Sequence, residues 1–235
     1  MTSEIHPRPT PVARIWHGLT LVVALAALVL QFVLVLRGGH VLGETTLPPT
    51  GERVLNYFSY FTIQSNILVA VTAWTLVAGR DTDRTWWRVV RLNAVVGISI
   101  TGLVVWLILA PWMKKNGMGL HGADLLADRL LHVVVPLLAV IGFVVFGPRK
   151  RVSVRDLLLT LVWPLAWIGY TLIHGVIADW YPYPFVDVAA NGYPRVLLNC
   201  LGIAVLLLVV TGVLLLLGRW RLTRVARGQV SYSPR

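Results

Sequence analysis

Between Tyr57 and Asn66 the chain reads Y-F-S-Y-F-T-I-Q-S-N, placing Ser59, Thr62, Gln64, Ser65 and Asn66 at the head of a long apolar run. On one continuous helix, Ser59, Thr62 and the Ser65/Asn66 pair share a face. A polar face is costly in hydrocarbon unless it looks into protein or a water-filled cavity. Two histidines in other apolar runs, His132 and His174, can meet it there. A hydroxyl becomes a nucleophile when a nearby base takes its proton, and Thr62 with His132 has the types for that exchange. Asp128 stands four residues before His132, one helical turn away, where a carboxylate can orient the ring. His174, Asn66 or backbone donors near Pro136 can steady a developing oxyanion. Asn199, near the start of the last apolar run, can join them. On chemistry alone the plain alternative is the usual one: a threonine in a membrane helix back-bonds to the carbonyl four residues earlier or packs at a helix interface.

These residues need elements to carry them. Of 235 residues, 57% are hydrophobic and 13% charged, about half the charged fraction of a typical soluble domain. Apolar runs of roughly 20 residues recur along the chain, which is the pattern of a polytopic helical membrane protein. The expected fold is all-α, with six transmembrane helices over about 13–36, 57–78, 90–111, 129–147, 155–178 and 196–218. Residues 13–218 form one membrane domain, 1–12 an N-terminal tail in which Pro7, Pro9 and Pro11 bar a regular helix, and 219–235 a basic C-terminal tail. The first run is too long for a signal-peptide core of ~7–15 residues, so it reads as a retained helix.

The net charge of +11 invites a nucleic-acid reading, and its placement argues against one. With six spans, fifteen of the 21 basic residues fall on the side of the two termini and six on the other. Four acids accompany the first set and six the second, so the whole excess lies on one face. Positive residues mark the cytoplasmic side, so both termini are expected there, in a multi-pass cell-membrane protein. The basic residues are short clusters at helix ends, suited to anionic lipid head groups. The C-terminal R-W-R-L-T-R-V-A-R is basic and mildly amphipathic and can lie on the inner leaflet. Cys200 is the single cysteine, so a disulfide framework and a metal-thiolate centre are both excluded. No metal ligand set is expected.

With that topology the reactive groups share a depth. Thr62 lies about five residues into the second span, His132 about three into the fourth and His174 about four from the end of the fifth, or ~5–8 Å from the outer ends at 1.5 Å per residue. The outer loops, with W-Y-P-Y-P-F and N-G-Y-P after the fifth span, are of the kind that can fold over a site, or that anchor helices at the head-group level.

Three segments resemble a known family, the androgen-induced protein and androgen-dependent tissue-factor-pathway-inhibitor regulator family with its bacterial six-span relatives. S-Y-F-T, ending at Thr62, looks like the family's aromatic-x-Thr segment at the start of span two. L-L-H-V-V-V-P, with His132 and Pro136, looks like its His-apolar-Pro segment in span four. His174, Trp180 and then Tyr183, Pro184 and Phe185 look like its His, Trp and Tyr-Pro-Phe after span five. The resemblance covers roughly residues 13–218. It implies a hydrolase of fatty acid esters of hydroxy fatty acids, with Thr62 the nucleophile, His132 the base, a lipid as substrate and no cofactor. Asp128 and Arg129 depart from the family's pattern just before the histidine. Two other classes stay open on the residues: a non-catalytic lipid-binding protein or small transporter, given Pro136 and Pro164 within spans, and a b-type haem protein using His132 and His174.

Overall fold

The structure is a computed structural model that describes residues 9–38, 47–80, 84–147 and 153–230, with 154 and 218–230 described as backbone alone. Several residues of the charge pattern, among them Arg8, Glu44, Asp81, Asp83, Arg149, Lys150, Arg151 and Arg235, lie outside the described residues, as does His40. Every regular element among the described residues is helical.

The first helix, α1 (Pro11–Leu36), starts within the segment expected to be irregular. Proline at the first helical position needs no N–H there, and the Thr10 hydroxyl accepts from the Ala13 N–H at 3.3 Å. The second predicted span is two helices, α2 (Thr50–Ser59) and α3 (Phe61–Val77), bent by 67° at Tyr60. The third is a rod of α4 (Thr85–Val104), a π turn (Val105–Leu109) and α5 (Ala110–Lys115). The fourth is a rod of α6 (Gly122–Arg129), a second π turn (Leu130–Val134) and α7 (Val135–Phe146). Then come α8 (Val154–Ala178), a 3-10 turn (Pro184–Val186) and α9 (Val188–Val230). A break at Gly192, φ 73°, interrupts α9, which then runs on to Val230, into the expected basic tail.

Five of these rods are each long and apolar enough to cross a bilayer, and the bent α2–α3 pair makes a sixth if counted as one span. The architecture is therefore a helical bundle compatible with a membrane protein. α4 is its axis. Every residue from Arg91 to Ile98 is buried, which happens to a helix surrounded on all sides. The other rods bury one stripe and leave apolar faces such as Leu158, Val162, Leu165 and Ile173 exposed, as suits contact with lipid tails. Gly97 and Gly102 let neighbours approach α4 closely: a Cβ at Gly97 would lie 2.8 Å from the Trp163 ring and 2.9 Å from Ser65 Oγ. At the far end of the same helix, Arg88 Nε and Nη2 donate to both oxygens of the fully buried Asp156, each at 3.1 Å, tying α4 to α8.

The break at Tyr60 leaves backbone groups without helical partners, and two side chains take two of them. Gln64 Nε2 donates to the Phe58 carbonyl at 3.0 Å, and Trp167 Nε1 donates to the Ser59 carbonyl at 2.9 Å. Trp163 Nε1 in turn holds Gln64 through its Oε1 at 3.2 Å. Non-helical backbone at membrane depth persists only where protein satisfies it in this way.

Both π turns precede a proline by two residues. Pro136 has no N–H, so the His132 carbonyl, four residues before it, loses its helical donor and would meet the proline ring. The helix widens instead, and the Val135 N–H reaches back to Leu130. The His132 carbonyl faces Gly102, where a Cβ would stand 2.9 Å from it.

Candidate active site

The bend and the π turn bring two side chains together. Thr62 Oγ1 lies 3.2 Å from His132 Nε2. Thr62 is the second residue of α3, so the residue four before it, Phe58, belongs to the other limb of the bend. Its hydroxyl therefore has no helical carbonyl to bond. His132 Nδ1 lies 2.9 Å from Asp128 Oδ1 and 3.1 Å from the Asp128 carbonyl. Both of those atoms are acceptors, so Nδ1 carries a proton and, in the neutral ring, Nε2 is the lone pair that faces Thr62. The π turn matters here because it rotates His132 relative to a regular helix while keeping Asp128 within reach.

A third partner was not among the expected site residues. The Tyr183 hydroxyl lies 3.1 Å from Thr62 Oγ1 and accepts from the Thr62 N–H at 3.2 Å. With the Thr62 proton directed to His132 and the Thr62 amide directed to the phenol oxygen, the phenol proton is directed to Oγ1. Burial pushes the Tyr183 hydroxyl above the ordinary phenol range, so it is held as a proton donor. The ring is wedged against Tyr60, Trp167 and Phe185, the last stacked at 5.2 Å. Its loop is pinned by Asn191 Nδ2 on the Pro184 carbonyl and Asn199 Nδ2 on the Phe185 carbonyl, each at 2.8 Å. The signal was present in the sequence as Tyr-Pro-Phe in a loop able to cover a site, but nothing in its spacing fixed which ring would reach Thr62.

Other expected residues take different places. The stripe from Ser59 to Asn66 is divided by the bend. Ser59 donates to the Leu55 carbonyl and meets Tyr170 Oη at 2.6 Å. Ser65 is fully buried and back-bonds to Phe61 at 2.8 Å. Asn66 commits its amide nitrogen to the Thr62 carbonyl at 2.9 Å and the Leu131 carbonyl at 3.5 Å. It braces the peptide that carries Thr62 rather than offering an oxyanion donor, and its Oδ1 is buried without a partner. His174 stacks on Tyr170 at 5.5 Å and meets Trp180 edge-on. Trp180 touches Tyr60 and Tyr60 touches Tyr183, so His174 is linked to Thr62 through rings and does not receive its hydroxyl. Asn199 anchors the loop. For a haem reading, His132 already uses both ring nitrogens within the chain. No group of three or more His, Cys, Asp or Glu able to hold a metal occurs among the described residues.

An apolar cavity of about 50 Å³ adjoins Thr62. Thr62 and Tyr183 line it together with Val104, Trp167, Cys200 and Leu207, and His132 does not. His132 and Asp128 keep side-chain exposures of 15% and 20%, whereas Thr62 and Tyr183 are buried. It is thus a hydroxyl–imidazole–carboxylate chain whose hydroxyl end borders an apolar cavity. Comparison with protein-family models, curated proteins and solved structures gives no match.

Proposed function

We propose that this chain is an integral membrane hydrolase of lipid esters, of the kind represented by fatty acid esters of hydroxy fatty acids, with Thr62 as nucleophile and His132 as base. The observation that carries the reading is the Thr62 Oγ1 to His132 Nε2 separation of 3.2 Å, on a ring whose other nitrogen is held by Asp128. The cavity beside it favours an apolar acyl group, and the motif resemblance points to the same chemistry.

His132 Nε2 takes the Thr62 proton as Oγ1 attacks the ester carbonyl, then returns it to the departing alcohol. The product is an acyl-threonine. Water enters from the Asp128 side, gives a proton to Nε2, and attacks the acyl carbon, which releases the acid and restores Thr62. Asp128 keeps the ring in the required tautomer and faces the positive imidazolium. In this reading the protein sits in the cell membrane as six spans with both termini cytoplasmic, the orientation its basic residues favour, and Thr62 and His132 lie toward the outer face. Lipids are its substrate and its solvent, and nucleic acid is not a partner.

The test is turnover of a branched fatty ester by purified protein in detergent or vesicles. Wild type is expected to hydrolyse it, with Thr62→Ala and His132→Ala lowered to background. Equal turnover in all three overturns the reading.

A further inference from the structure

Three places compete for a role beyond the pair itself. A small cavity near the other end of the bundle is lined by His17, Thr20, Thr72 and Arg91, but its two hydroxyls bond their own helix and no geometry there points to one ligand. Asn66 Oδ1 is an orphaned acceptor, yet nothing places it toward the reacting atoms. The third place is the wedge between the Tyr183 hydroxyl and the start of α3, and there the distances converge.

We infer that the Tyr183 O–H and the Thr62 backbone N–H together form the oxyanion hole of the esterase, a role that rests on the hydrolase reading above. Both donors are within 3.2 Å of one another, and the nucleophile Oγ1 is 3.1 Å from the phenol. In the free protein the amide donates to the phenol oxygen, and the phenol donates to Oγ1. As Oγ1 bonds to the ester carbon, its proton passes to His132 Nε2 and the carbonyl π pair moves onto the carbonyl oxygen. That oxygen enters the wedge and accepts from both donors. When the tetrahedral intermediate collapses, the pair returns to the carbonyl, the carbon–alkoxy bond breaks, and Nε2–H protonates the leaving alcohol. Water repeats the sequence in the second half.

The bend at Tyr60 explains why the donors exist. A continuous helix would tie the Thr62 N–H to the Phe58 carbonyl. Instead α3 begins at Phe61, so the N–H groups of its first turn have no helical acceptor. The helix also turns its positive end toward the reacting carbonyl. Gln64 takes the Phe58 carbonyl that the bend releases. The packed ring and the start of the helix are already in place, so the donors need only exchange their resting partners for the oxyanion as charge develops.

Tyr183→Phe tests the role, since it keeps the ring and its stacking on Phe185. Steady-state hydrolysis should show kcat lowered by about 10²–10³-fold with KM nearly unchanged, the usual effect of losing one such donor. A matched thionoester, whose sulfur is a poor hydrogen-bond acceptor, separates this from mere loosening: its rate penalty should shrink by roughly tenfold or more in Tyr183→Phe relative to wild type. If Tyr183→Phe fails to fold, Asn199→Ala loosens the loop from a distance, with a smaller fall in kcat and a partial loss of the thiono penalty. Wild-type turnover with an unchanged kcat, or an unchanged thiono penalty, in the folded variant overturns the inference and leaves the hydrolase standing. Wild type without turnover overturns both.

Discussion

Thr62 and Thr72 lie on the same helix, both buried, and they do opposite things with their hydroxyls. Thr72 donates to the Leu68 and Val69 carbonyls of its own helix. So do four other buried threonines with theirs: Thr20, Thr101, Thr160 and Thr211 each bond a carbonyl three or four residues earlier. Thr171 is buried with no partner. Among the described residues, Thr62 alone of the buried threonines bonds other elements, reaching His132 and Tyr183. Residue type and burial are shared by all of them. The difference is position: Thr62 stands just after a bend, where the carbonyl it would back-bond points along another limb. A membrane helix ordinarily quenches a threonine, and a break in the helix is what releases one.

The comparison is broken most severely by removing the hydroxyls in turn. Thr62→Ala is expected to lower ester turnover by at least about 10⁴-fold, as loss of a nucleophile does. Thr72→Ala should leave turnover within about twofold while lowering stability by ~1 kcal/mol, the worth of one buried hydrogen bond. Parallel kinetics and thermal unfolding in detergent read both numbers. Asp128→Asn comes next, because an amide in place of the carboxylate can stabilise the wrong tautomer. Turnover falls by about 10²–10⁴-fold with the fold intact.

Smaller effects sharpen the backbone side of the contrast. Gly102→Ala puts a Cβ where the His132 carbonyl now stands, 2.9 Å away, and shifts the π turn. A misplacement of about 1 Å is expected to cost up to ~10²-fold in kcat. Gly169→Ala is the control, since nothing lies within 4 Å of its added Cβ. Turnover should not change there. Gln64→Leu leaves the Phe58 carbonyl at the bend without its donor. Stability drops by about 0.5–1.5 kcal/mol, the net worth of an ordinary hydrogen bond, and turnover falls by a few-fold, as the end of α3 loosens. Unchanged melting in Gln64→Leu would show that the bend does not depend on that amide.

The two π turns make the same point about what a sequence carries. Both come from a proline, Pro111 and Pro136, whose missing N–H is legible in any chain. One widens a stretch of Val105, Trp106, Leu107, Ile108 and Leu109 and supplies apolar wall to the cavity. The other contains His132 and turns it toward Thr62. Helix content and the rough spans follow from apolar run length, and the Thr62–His132–Asp128 grouping follows from depth and a one-turn spacing. The bend at Tyr60 does not, because no proline or glycine marks it. It is held by Gln64, Trp163 and Trp167 from positions that a local pattern cannot relate. Tyr183 was hidden for the same reason, since its reach depends on how Asn191 and Asn199 fold its loop back. His174 shows the converse, a histidine expected at the site whose ring is taken up by Tyr170 and Trp180.

The most direct measurement is covalent. Purified protein is treated with a long-chain fluorophosphonate, digested and analysed by mass spectrometry, alongside His132→Ala. The account predicts a single adduct on the peptide carrying Thr62 in the wild type, at that residue, and none in the variant. An adduct on another residue, or none on a preparation that is hydrolysing ester, contradicts it.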